Sequence, residues 1–423
     1  MIRSITPIGK PVTSRVAVPG SKSYTNRALC MAALAGQPVT LHNPLASDDT
    51  EAMITCLRKL GYEIQQSDKK ITVQAGNSKR AEFRELYCRD SGTTIRFLTA
   101  LSATLTGTTR LTGSPRLTER PLMPLVEGLR QLGAEIAVTG NRAPITITRP
   151  AHGGICRVTG GISSQFFSAL LMAAPALGAV TIEVEGELIS RPYAEMTLDM
   201  MRDWGVNVST EAYHRFHVPE ASRYTIREYT IEGDYSSAGY FFALAALTGS
   251  TITVENLKGD SKQADRRFPE LLRKLGATVT FGTDSVTVTG GTLHPVTVSL
   301  ESCPDQAQTM AVLAAFAPGT SVLAGVRSLR LKETERVAAL QNELGSMGIR
   351  TEATEDVLII HGGKPKPALI KTYNDHRMAM SFAVAGARLA GMRIADPHVV
   401  AKTFPSFWEV LAEAGITSSE QES

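Results

Sequence analysis

The apolar positions of the chain repeat one arrangement six times. In each copy, a turn-forming residue and a few small polar residues precede an apolar, Ala-rich stretch with helical spacing. The six polar stretches begin at Gly20, Asp90, Gly161, Gly233, Pro304 and Asn374, which are 70, 71, 72, 71 and 70 residues apart. A period this constant indicates a repeat architecture.

A second helix closes each copy and ends in an apolar residue followed by glycine. Glycine at this place fits a helix C-terminus that needs a positive φ. The six pairs are Leu60-Gly61, Leu132-Gly133, Trp204-Gly205, Leu275-Gly276, Met347-Gly348 and Ala414-Gly415. After five of them the alternation of apolar and polar residues predicts a β-hairpin, as in 134–138 followed by 145–148.

The sixth copy has no hairpin pattern after Gly415, and its polar tail 417–423 is expected to be frayed. Residues 1–18 are strand-like and have no helix of their own, so we infer that they supply the strands missing from the last copy. This predicts one domain of residues 19–233 and a second of 1–18 with 234–423. The two passages between them, near Pro19 and Gly233, predict a hinge that closes over a ligand.

The first helix of each copy is apolar nearly all round, as in 242–247, which is typical of a core helix. We therefore predict an α/β (α+β) fold in which three such helices per domain lie buried and parallel under sheets. Their N-termini would gather the polar stretches at the domain interface.

Composition excludes several classes of function. A net charge of +3 is too small for a nucleic-acid-binding surface, and no apolar run is long enough to span a membrane. The five cysteines are odd in number and lack metal-ligand spacing, which indicates reduced thiols in a cytoplasmic protein. Neither a Walker A loop nor Gly-x-Gly-x-x-Gly occurs. We expect no metal, no cofactor, no nucleic-acid or membrane partner, and a monomer.

Helix starts carry the residues that could do chemistry. A strand-like run at 15–18 and the turn Pro19-Gly20 lead to a helix N-terminus within 19–27, which suits an anion. Ser23 and Arg27 stand four apart on one face of that helix, and Lys22 adds a positive charge. The stretches 90–96 and 160–165 offer hydroxyl, amide and cationic groups in the same way. The alternative is a set of N-caps with solvated cations.

Eight cations lie at such starts, although the helix dipole repels cations there. They are Lys22, Arg27, Arg96, Arg120, Lys332, Arg336, Arg377 and Lys402. Their number suggests a polyanionic ligand. Arg120 precedes a proline, which predicts extended geometry. On a helix, Lys332, Glu333 and Arg336 would share an arc of about 100°. That face could be a solvated salt bridge or a general acid flanked by anion binders.

Seven ordered runs, distributed along essentially the whole chain, resemble the 5-enolpyruvylshikimate-3-phosphate synthase family of enolpyruvyl transferases. They are 19–23, 26–27, 163–165, 304–305, 332–336, 374–379 and 401–405. The resemblance implies two domains, each of three βαβαββ units, in the inside-out barrel architecture. It implies transfer of the enolpyruvyl group of phosphoenolpyruvate to the 5-hydroxyl of shikimate 3-phosphate, with release of phosphate, on the shikimate pathway to chorismate and aromatic amino acids.

The resemblance also implies residue roles. Asp305 would take the 5-hydroxyl proton, and Glu333 would protonate the methylene carbon to give a tetrahedral ketal phosphate. Lys22 and His376 would support charge at that centre. Shikimate 3-phosphate would be held by Lys22, Ser23, Arg27, Ser163, Ser164, Gln165, Ser190, Asp305, Ser328 and Lys332. Phosphoenolpyruvate would be held by Lys22, Gly92, Arg120, Gln165, Arg336, Arg377 and Lys402.

Three positions depart from the family pattern, in which Asn, Pro and Asn are common where this chain has Asp90, Phe97 and Ser328. The run 163–165 together with Gly92 resembles the glyphosate-sensitive subgroup. That likeness predicts inhibition by glyphosate in competition with phosphoenolpyruvate.

Other functions on similar units are alternatives. UDP-N-acetylglucosamine 1-carboxyvinyltransferase carries a reactive cysteine in the loop that here reads 112–116 without one, and an Asn where this chain has Ser23. A non-catalytic anion-binding protein is disfavoured by the presence of Lys22, Asp305 and Glu333. An RNA-end-processing enzyme is disfavoured by the low net charge.

Overall fold

The computed structural model describes residues 1–67, 69–76 and 82–421 of the chain. The chain forms two compact units, Met1–Ser21 with Glu232–Ser423, and Lys22–Ile231. These bounds lie within three residues of the domain division drawn from the sequence.

The unit Met1–Ser21 with Glu232–Ser423 begins with two strands. The chain then passes through the whole of the other unit, Lys22–Ile231. The two strands are β1 (Ile2–Ile5) and β2 (Thr13–Ala17). The second unit contains α1 (Lys22–Leu34), β3 (Val39–His42), α2 (Asp48–Lys59), β4 (Tyr62–Ser67), β5 (Lys70–Ala75), β6 (Phe83–Tyr87), α3 (Gly92–Ser102), β7 (Thr108–Thr112), α4 (Pro115–Glu119), α5 (Met123–Gln131), β8 (Glu135–Thr139), β9 (Arg142–Arg149), β10 (Gly154–Thr159), α6 (Ser164–Ala173), β11 (Val180–Glu185), α7 (Arg191–Asp203), β12 (Ser209–Glu211), β13 (Arg215–Val218) and β14 (Glu228–Thr230).

The chain then returns to complete the first unit. It adds α8 (Tyr235–Thr248), β15 (Thr251–Glu255), α9 (Arg267–Lys274), β16 (Thr278–Phe281), β17 (Ser285–Thr289), β18 (Thr297–Ser299), α10 (Ala307–Phe316), β19 (Gly319–Ala324), α11 (Arg336–Ser346), β20 (Arg350–Ala353), β21 (Val357–Gly362), β22 (Leu369–Ile370), α12 (His376–Gly386), β23 (Arg393–Ala395), α13 (Phe407–Glu413) and β24 (Ser418–Gln421). Short 3-10 helices cover Ala174–Ala176, Ala264–Arg266, Pro304–Gln306, Arg327–Leu331 and Pro397–Lys402.

The strands of the described residues form six four-stranded sheets with one common topology. In Lys22–Ile231 the orders are β14-β3-β5-β4, β6-β7-β9-β8 and β10-β11-β13-β12, and in the other unit β16-β17-β15-β2, β18-β19-β21-β20 and β22-β23-β1-β24. Each sheet contains one parallel strand pair and two antiparallel pairs, with the parallel pair at one edge. The predicted sixfold repeat is therefore confirmed.

The N-terminal strands complete two different sheets. β1 is an inner strand of the last sheet, where Ile2 is paired with both Ala395 and Gln421 in antiparallel register. β2 runs parallel to β15 at the edge of the fourth sheet. The prediction that the N-terminus supplies a strand to the last copy is confirmed for β1.

The expected fraying of the tail is wrong for Ser418–Gln421, which forms the edge strand β24 against β1. An edge strand with a solvated face needs few apolar residues, so its polar composition did not indicate a strand. Residues 422 and 423 lie outside the described part of the chain.

Three apolar helices are buried side by side in each unit, as predicted. The helices α1, α3 and α6 contact one another in Lys22–Ile231, and α8, α10 and α12 do so in the other unit. Every residue of α3, α10 and α12 is buried. Near the starts of α1 and α3, Asn26 Nδ2 donates to Thr93 Oγ1 at 2.6 Å, so these N-termini lie at the same end.

The six glycines at the ends of the second helices all adopt positive φ, between 78° and 106°. The predicted helix C-termini are therefore confirmed. No helix within the described residues has both the length and the apolar character needed to cross a membrane.

The two passages of the chain between the units are hydrogen-bonded to each other. Ser21 N donates to Glu232 O at 2.8 Å, and Gly20 forms an isolated antiparallel bridge with Gly233. Asn256 Nδ2 donates to Val18 O at 2.7 Å and holds the first passage against the fourth sheet.

Candidate active site

Most of the eight cations singled out in the sequence are buried. The buried ones are Arg27, Arg96, Arg120, Arg336, Arg377 and Lys402, whereas Lys22 and Lys332 are half-buried. The alternative that these groups are solvated surface cations is therefore wrong for the six buried side chains.

In the unit that contains the C-terminal half of the chain, Arg336 gathers three carboxylates. Its Nε donates to Asp375 Oδ2 at 2.7 Å and its Nη1 to Asp305 Oδ1 at 3.2 Å. Its Nη2 donates to Glu333 Oε2 at 2.9 Å. Burial by itself lowers the pKa of Arg336, but the three carboxylates outweigh burial and raise this pKa above its usual value. One guanidinium thus fixes side chains from three segments.

Asp305 lies at the centre of the cations in this cluster. Its Oδ2 accepts a hydrogen bond from Arg377 Nη2 at 2.8 Å, and Lys332 Nζ is 3.6 Å from its Oδ1. The side chain of Asp305 is 18% exposed and that of Glu333 is 13% exposed, against 1% for Arg336. Both carboxylates are therefore partly open to solvent although the arginine behind them is not.

The expected helix face of Lys332, Glu333 and Arg336 is wrong in its geometry. Lys332 is extended, with φ −92° and ψ −157°, and α11 begins only at Arg336. The reason is the N-cap: the side chain of Glu335 accepts a hydrogen bond from the main chain of Ala338 and starts the helix there. The three residues nevertheless converge, because a loop rather than a helix brings Lys332 and Glu333 to Asp305 and Arg336.

The prediction that the run 374–379 opens a helix is confirmed. Asp375 is the N-cap of α12 and accepts from Arg377 N at 2.9 Å. His376 is fully buried, with Nδ1 3.7 Å from Asp375 Oδ1. Arg377 Nη1 donates to the hydroxyl of Tyr240 at 3.2 Å. Burial raises the pKa of Tyr240 to about 12, so this hydroxyl stays protonated at neutral pH.

Two of the implied binding residues of this unit occupy 3-10 helices. Ser328 is half-buried in Arg327–Leu331, and Lys402 is buried at the end of Pro397–Lys402.

In Lys22–Ile231, the guanidinium of Arg120 lies across the first turn of α3. A methyl group placed on Gly92 would stand 2.6 Å from Arg120 Nη1 and 2.8 Å from its Cζ. Arg120 follows α4 with φ −73° and ψ 143°, which confirms the extended geometry expected before a proline. The absence of a side chain at Gly92 is what lets this cation approach the helix N-terminus.

Arg96 ties the second and third helix starts together. Its Nη1 donates to Gln165 Oε1 at 2.7 Å, and its Nη2 donates to Pro121 O at 3.1 Å. Ser163 is the N-cap of α6 and accepts from Gln165 N at 3.3 Å. Ser164 is buried in the first turn of the same helix. Arg96 therefore positions Gln165 beside the segment that carries Arg120.

The contacts of Arg27 that the structure defines are to protein groups. Its Nε donates to Thr197 Oγ1 at 2.8 Å, and its Nη2 donates to Ser168 Oγ and to Tyr193 O. Its Nη1 donates to Ser23 O at 3.0 Å, and burial lowers the pKa of Arg27 to about 10. Its guanidinium joins α1, α6 and α7.

Ser190 precedes α7 in the left-handed region, with φ 52° and ψ 42°. Residues other than glycine rarely adopt this conformation, and such strain concentrates at functional sites. Lys22 completes this unit's set, with its Nζ 3.3 Å from Asp49 Oδ2.

Two departures from the family pattern have visible partners. Asp90 accepts a hydrogen bond from the hydroxyl of Ser114, the N-cap of α4. Phe97 lies under the guanidinium of Arg27, with Cζ 5.4 Å from the ring centroid.

Three site residues were missed in the sequence. Asp375 and Tyr240 contact the arginines of the cluster, and Asp265 is a buried carboxylate whose pKa is raised by burial and by the charge of Asp305. Asp375 lies in the run 374–379, but an acid before a helix is expected as an N-cap, so the sequence did not indicate its ion pair with Arg336. Asp265 stands in a short Ala-Asp-Arg run that looks like an ordinary helix start.

Comparison with known proteins identifies the family. The family model described as EPSP synthase (3-phosphoshikimate 1-carboxyvinyltransferase) matches residues 6–411. The chain belongs to the EPSP synthase family. The 3-phosphoshikimate 1-carboxyvinyltransferase of Enterobacter sp. (strain 638) is 40% identical over 418 residues, which cover 97% of this chain and 98% of that enzyme. The enzyme of the same name from Sulfurovum sp. (strain NBC37-1) is 41% identical over 410 residues, covering 95% and 96%.

A solved structure agrees with this family assignment. EPSP synthase from Acinetobacter baumannii superposes with a TM-score of 0.81 at 27% sequence identity and covers 99% of this chain and 100% of its own. The fold implied by the sequence resemblance is confirmed. The UDP-sugar alternative is not favoured, because these relatives carry the name of the shikimate enzyme.

Proposed function

We propose that the chain transfers the enolpyruvyl group of phosphoenolpyruvate to the 5-hydroxyl of shikimate 3-phosphate and releases phosphate, as a step towards chorismate. The family match over residues 6–411 carries this conclusion. The cluster of Asp305, Glu333 and the cations around them supports it, since the reaction needs proton transfer beside anionic substrates.

Asp305 is the proposed base. It accepts the proton of the 5-hydroxyl while the hydroxyl oxygen forms a bond to C2 of phosphoenolpyruvate. Its partial exposure and its hydrogen bonds from Arg336 and Arg377 fit this role, because the carboxylate is oriented and still accessible. Lys332, whose Nζ lies near Asp305 Oδ1, is proposed to contact shikimate 3-phosphate beside this base.

Glu333 is the proposed acid. It gives its proton to the methylene carbon of phosphoenolpyruvate, which yields the tetrahedral ketal phosphate. Return of a proton from the methyl group to a carboxylate then accompanies cleavage of the bond to phosphate. Lys22 and His376 are proposed to stabilise charge at this centre.

The proposed phosphoenolpyruvate contacts are Lys22, Gly92, Arg120, Gln165, Arg336, Arg377 and Lys402. Two observations support Gly92, Arg120 and Gln165 in this list. Arg120 lies close to Gly92, and Arg96 donates a hydrogen bond to Gln165, so both arginines bring donors to helix N-termini. Direct contact of phosphoenolpyruvate with Arg336 stays a prediction. The hydrogen bonds that Arg336 donates favour a role in which it positions the carboxylates of Asp305 and Glu333.

For shikimate 3-phosphate, the proposed contacts are Lys22, Ser23, Arg27, Ser163, Ser164, Gln165, Ser190, Asp305, Ser328 and Lys332. The strained backbone of Ser190 and the hydroxyls at the start of α6 support this group. The role of Arg27 stays a prediction, since its defined contacts hold α1, α6 and α7 together.

We also propose that both compact units act on one substrate pair. The reason is the division of roles: Arg120 and Gln165 belong to Lys22–Ile231, whereas Asp305 and Glu333 belong to the other unit. Closing of the units over the substrates, a cytoplasmic location and a monomeric state are parts of the same proposal. The five free cysteines are consistent with a reducing compartment.

The test is phosphate release by purified protein supplied with phosphoenolpyruvate and one acceptor at a time. We expect release with shikimate 3-phosphate and none with UDP-N-acetylglucosamine. Asp305→Asn is the control for a contaminating activity, because it keeps the size of the side chain and removes the proposed base. Release with the UDP-sugar alone would contradict the proposal.

A further inference from the structure

Asp265 is a carboxylate sealed inside the unit that carries Asp305. It lies in the 3-10 helix Ala264–Arg266 and is 2% exposed. Its Oδ2 accepts a hydrogen bond from the hydroxyl of Ser236. Its Oδ1 has no hydrogen-bond partner among the residues that the structure describes. A buried carboxylate with so few donors costs folding free energy, so its presence calls for a reason.

Ser236 connects Asp265 to the segment of Asp305. It stands in the first turn of α8, and its main-chain oxygen accepts from Gln306 Nε2 at 3.3 Å. Gln306 directly follows Asp305 in the 3-10 helix Pro304–Gln306, and its side chain lies against Gly239. A side chain at Gly239 would displace Gln306. The hydrogen bonds of one serine therefore link the buried carboxylate to Gln306, the residue that follows the proposed base.

The charge of Asp305 also affects Asp265. Burial is the main effect that raises the pKa of Asp265, to about 6, and the charge of Asp305 adds to it. Arg377, which donates to Asp305, and the hydroxyl of Ser236 both lower this pKa, whereas Asp234 at the start of α8 raises it. Cys303 also faces Asp265, and burial raises the pKa of this thiol to about 12, so it stays neutral.

We propose that Asp265 is a positioning residue for enolpyruvyl transfer, which holds the segment of Asp305 through Ser236 and Gln306. The proposal rests on the role proposed for Asp305. Asp265 itself touches no substrate in this scheme.

The raised pKa of Asp265 predicts how its charge affects the stability of the fold. The pKa of Asp265 in the folded chain, about 6, lies above the value of about 3.9 expected when unfolded. The folded state therefore binds the proton more readily between these values, and the ionised group destabilises the fold as pH rises through this window. Asp265→Asn should raise the melting temperature at pH 8, and the gain should shrink towards pH 5. If the carboxylate stabilised the fold instead, its replacement would lower the melting temperature.

The experiment compares wild type, Asp265→Asn, Ser236→Ala and the control Asp260→Asn, an exposed acid in the preceding loop. Steady-state kinetics with both substrates are recorded from pH 5.5 to 8.5, and melting temperatures are recorded at pH 5 and 8. For Asp265→Asn we expect kcat to fall by about ten-fold or more at pH 8, because small misplacements of a reacting group are costly. KM for both substrates should change little, and Asp260→Asn should match wild type.

The pH profile provides a second readout. The ratio of wild-type to Asp265→Asn kcat should fall below about pH 6, where the wild-type carboxylate takes up its proton. Dividing by the variant cancels the titration of the substrates. In Ser236→Ala the inflection should move to higher pH, because loss of the hydroxyl donor raises the pKa of Asp265.

Each outcome decides the proposal. Wild-type kcat in Asp265→Asn at every pH, or a lower melting temperature with a matching loss of activity, would overturn it. If Asp265→Asn does not fold, Ser236→Ala decides, and an unchanged kcat and pH profile in that variant overturns the proposal. Absence of turnover in wild type would remove the proposed function and this inference with it. Turnover in wild type with an unaffected Asp265→Asn removes only the inference.

Discussion

Arg336 and Asp305 are joined by a hydrogen bond of 3.2 Å from Nη1 to Oδ1, and only the carboxylate is open to solvent. Removing an ion pair from water costs several kcal/mol per ion, so such a pair is weak evidence for stability. We infer that the pair serves to orient the carboxylates, because the buried Arg336 holds both Asp305 and Glu333.

Asp305→Asn and Glu333→Gln should lower kcat far more than they change KM. Loss of a general acid or base costs about 10²–10⁴ in rate, whereas the isosteric amides keep most contacts of the bound substrate. Steady-state kinetics with both substrates provide the measurement. Glu335→Gln is the matched control, since Glu335 caps α11 and pairs with Arg330 instead. Near-wild-type kcat in either test variant would remove its assigned role.

Replacement of Arg336 by methionine should destabilise the unit strongly. It removes the shared partner of Asp305, Glu333 and Asp375, and breaking a buried pair from one side costs about 3–5 kcal/mol. The free energy of unfolding in urea measures this effect. Arg327→Met is the control, because the pair of Arg327 with Glu355 is exposed and should contribute no more than about 1 kcal/mol. Equal losses of unfolding free energy in the two variants would show that the buried cluster stabilises the fold no more than an exposed ion pair does.

Gly92→Ala should raise KM for phosphoenolpyruvate and weaken inhibition by glyphosate. The new methyl group would stand 2.6 Å from Arg120 Nη1, so the guanidinium must move from the start of α3. Inhibition constants and KM values test this prediction. In the control Gly345→Ala, a methyl on the exposed side of α11 meets no atom within 4 Å, and both constants should stay at wild-type values. An unchanged Gly92→Ala enzyme would place both ligands elsewhere.

The native thiols should react very slowly with a disulfide reagent at pH 8. All five cysteines are buried, and burial raises the pKa of Cys30, Cys156 and Cys303 to about 12, which leaves little thiolate. The hydrogen bond from Cys88 lowers the pKa of Cys56, so Cys56 should be labelled first. Mass spectrometry of the labelled peptides gives the order, and denaturation should release all five thiols. Early labelling of Cys30 would contradict this assignment.

Some features of the fold were predictable because each depends on a short sequence pattern. The period of 70 to 72 residues and the glycines after the second helices indicated the units, since each copy repeats the same cap and the same turn. The extended geometry of Arg120 followed from the next residue alone.

Long-range pairing was not predictable from such patterns. The partners of Arg336 include Asp305 and Asp375, which are 31 and 39 residues away in sequence. These carboxylates balance the buried cations, so the placement of Arg336 and Arg377 at helix starts does not by itself require a ligand. Direct contact of these arginines with a polyanionic ligand stays a prediction, and the family match supports anionic substrates independently.

Strand β1 precedes the other strands described here and becomes an inner strand of the sheet that is completed last. The partner of Ile2 is Ala395, so at roughly 5–20 residues per second β1 waits on the order of a minute for its neighbours. Meanwhile the unit Lys22–Ile231 already holds all the strands of its three sheets and can fold during translation. Deletion of β1 would therefore separate β23 from β24 and leave β24 without its partner strand, although β1 lies at the other end of the sequence from both.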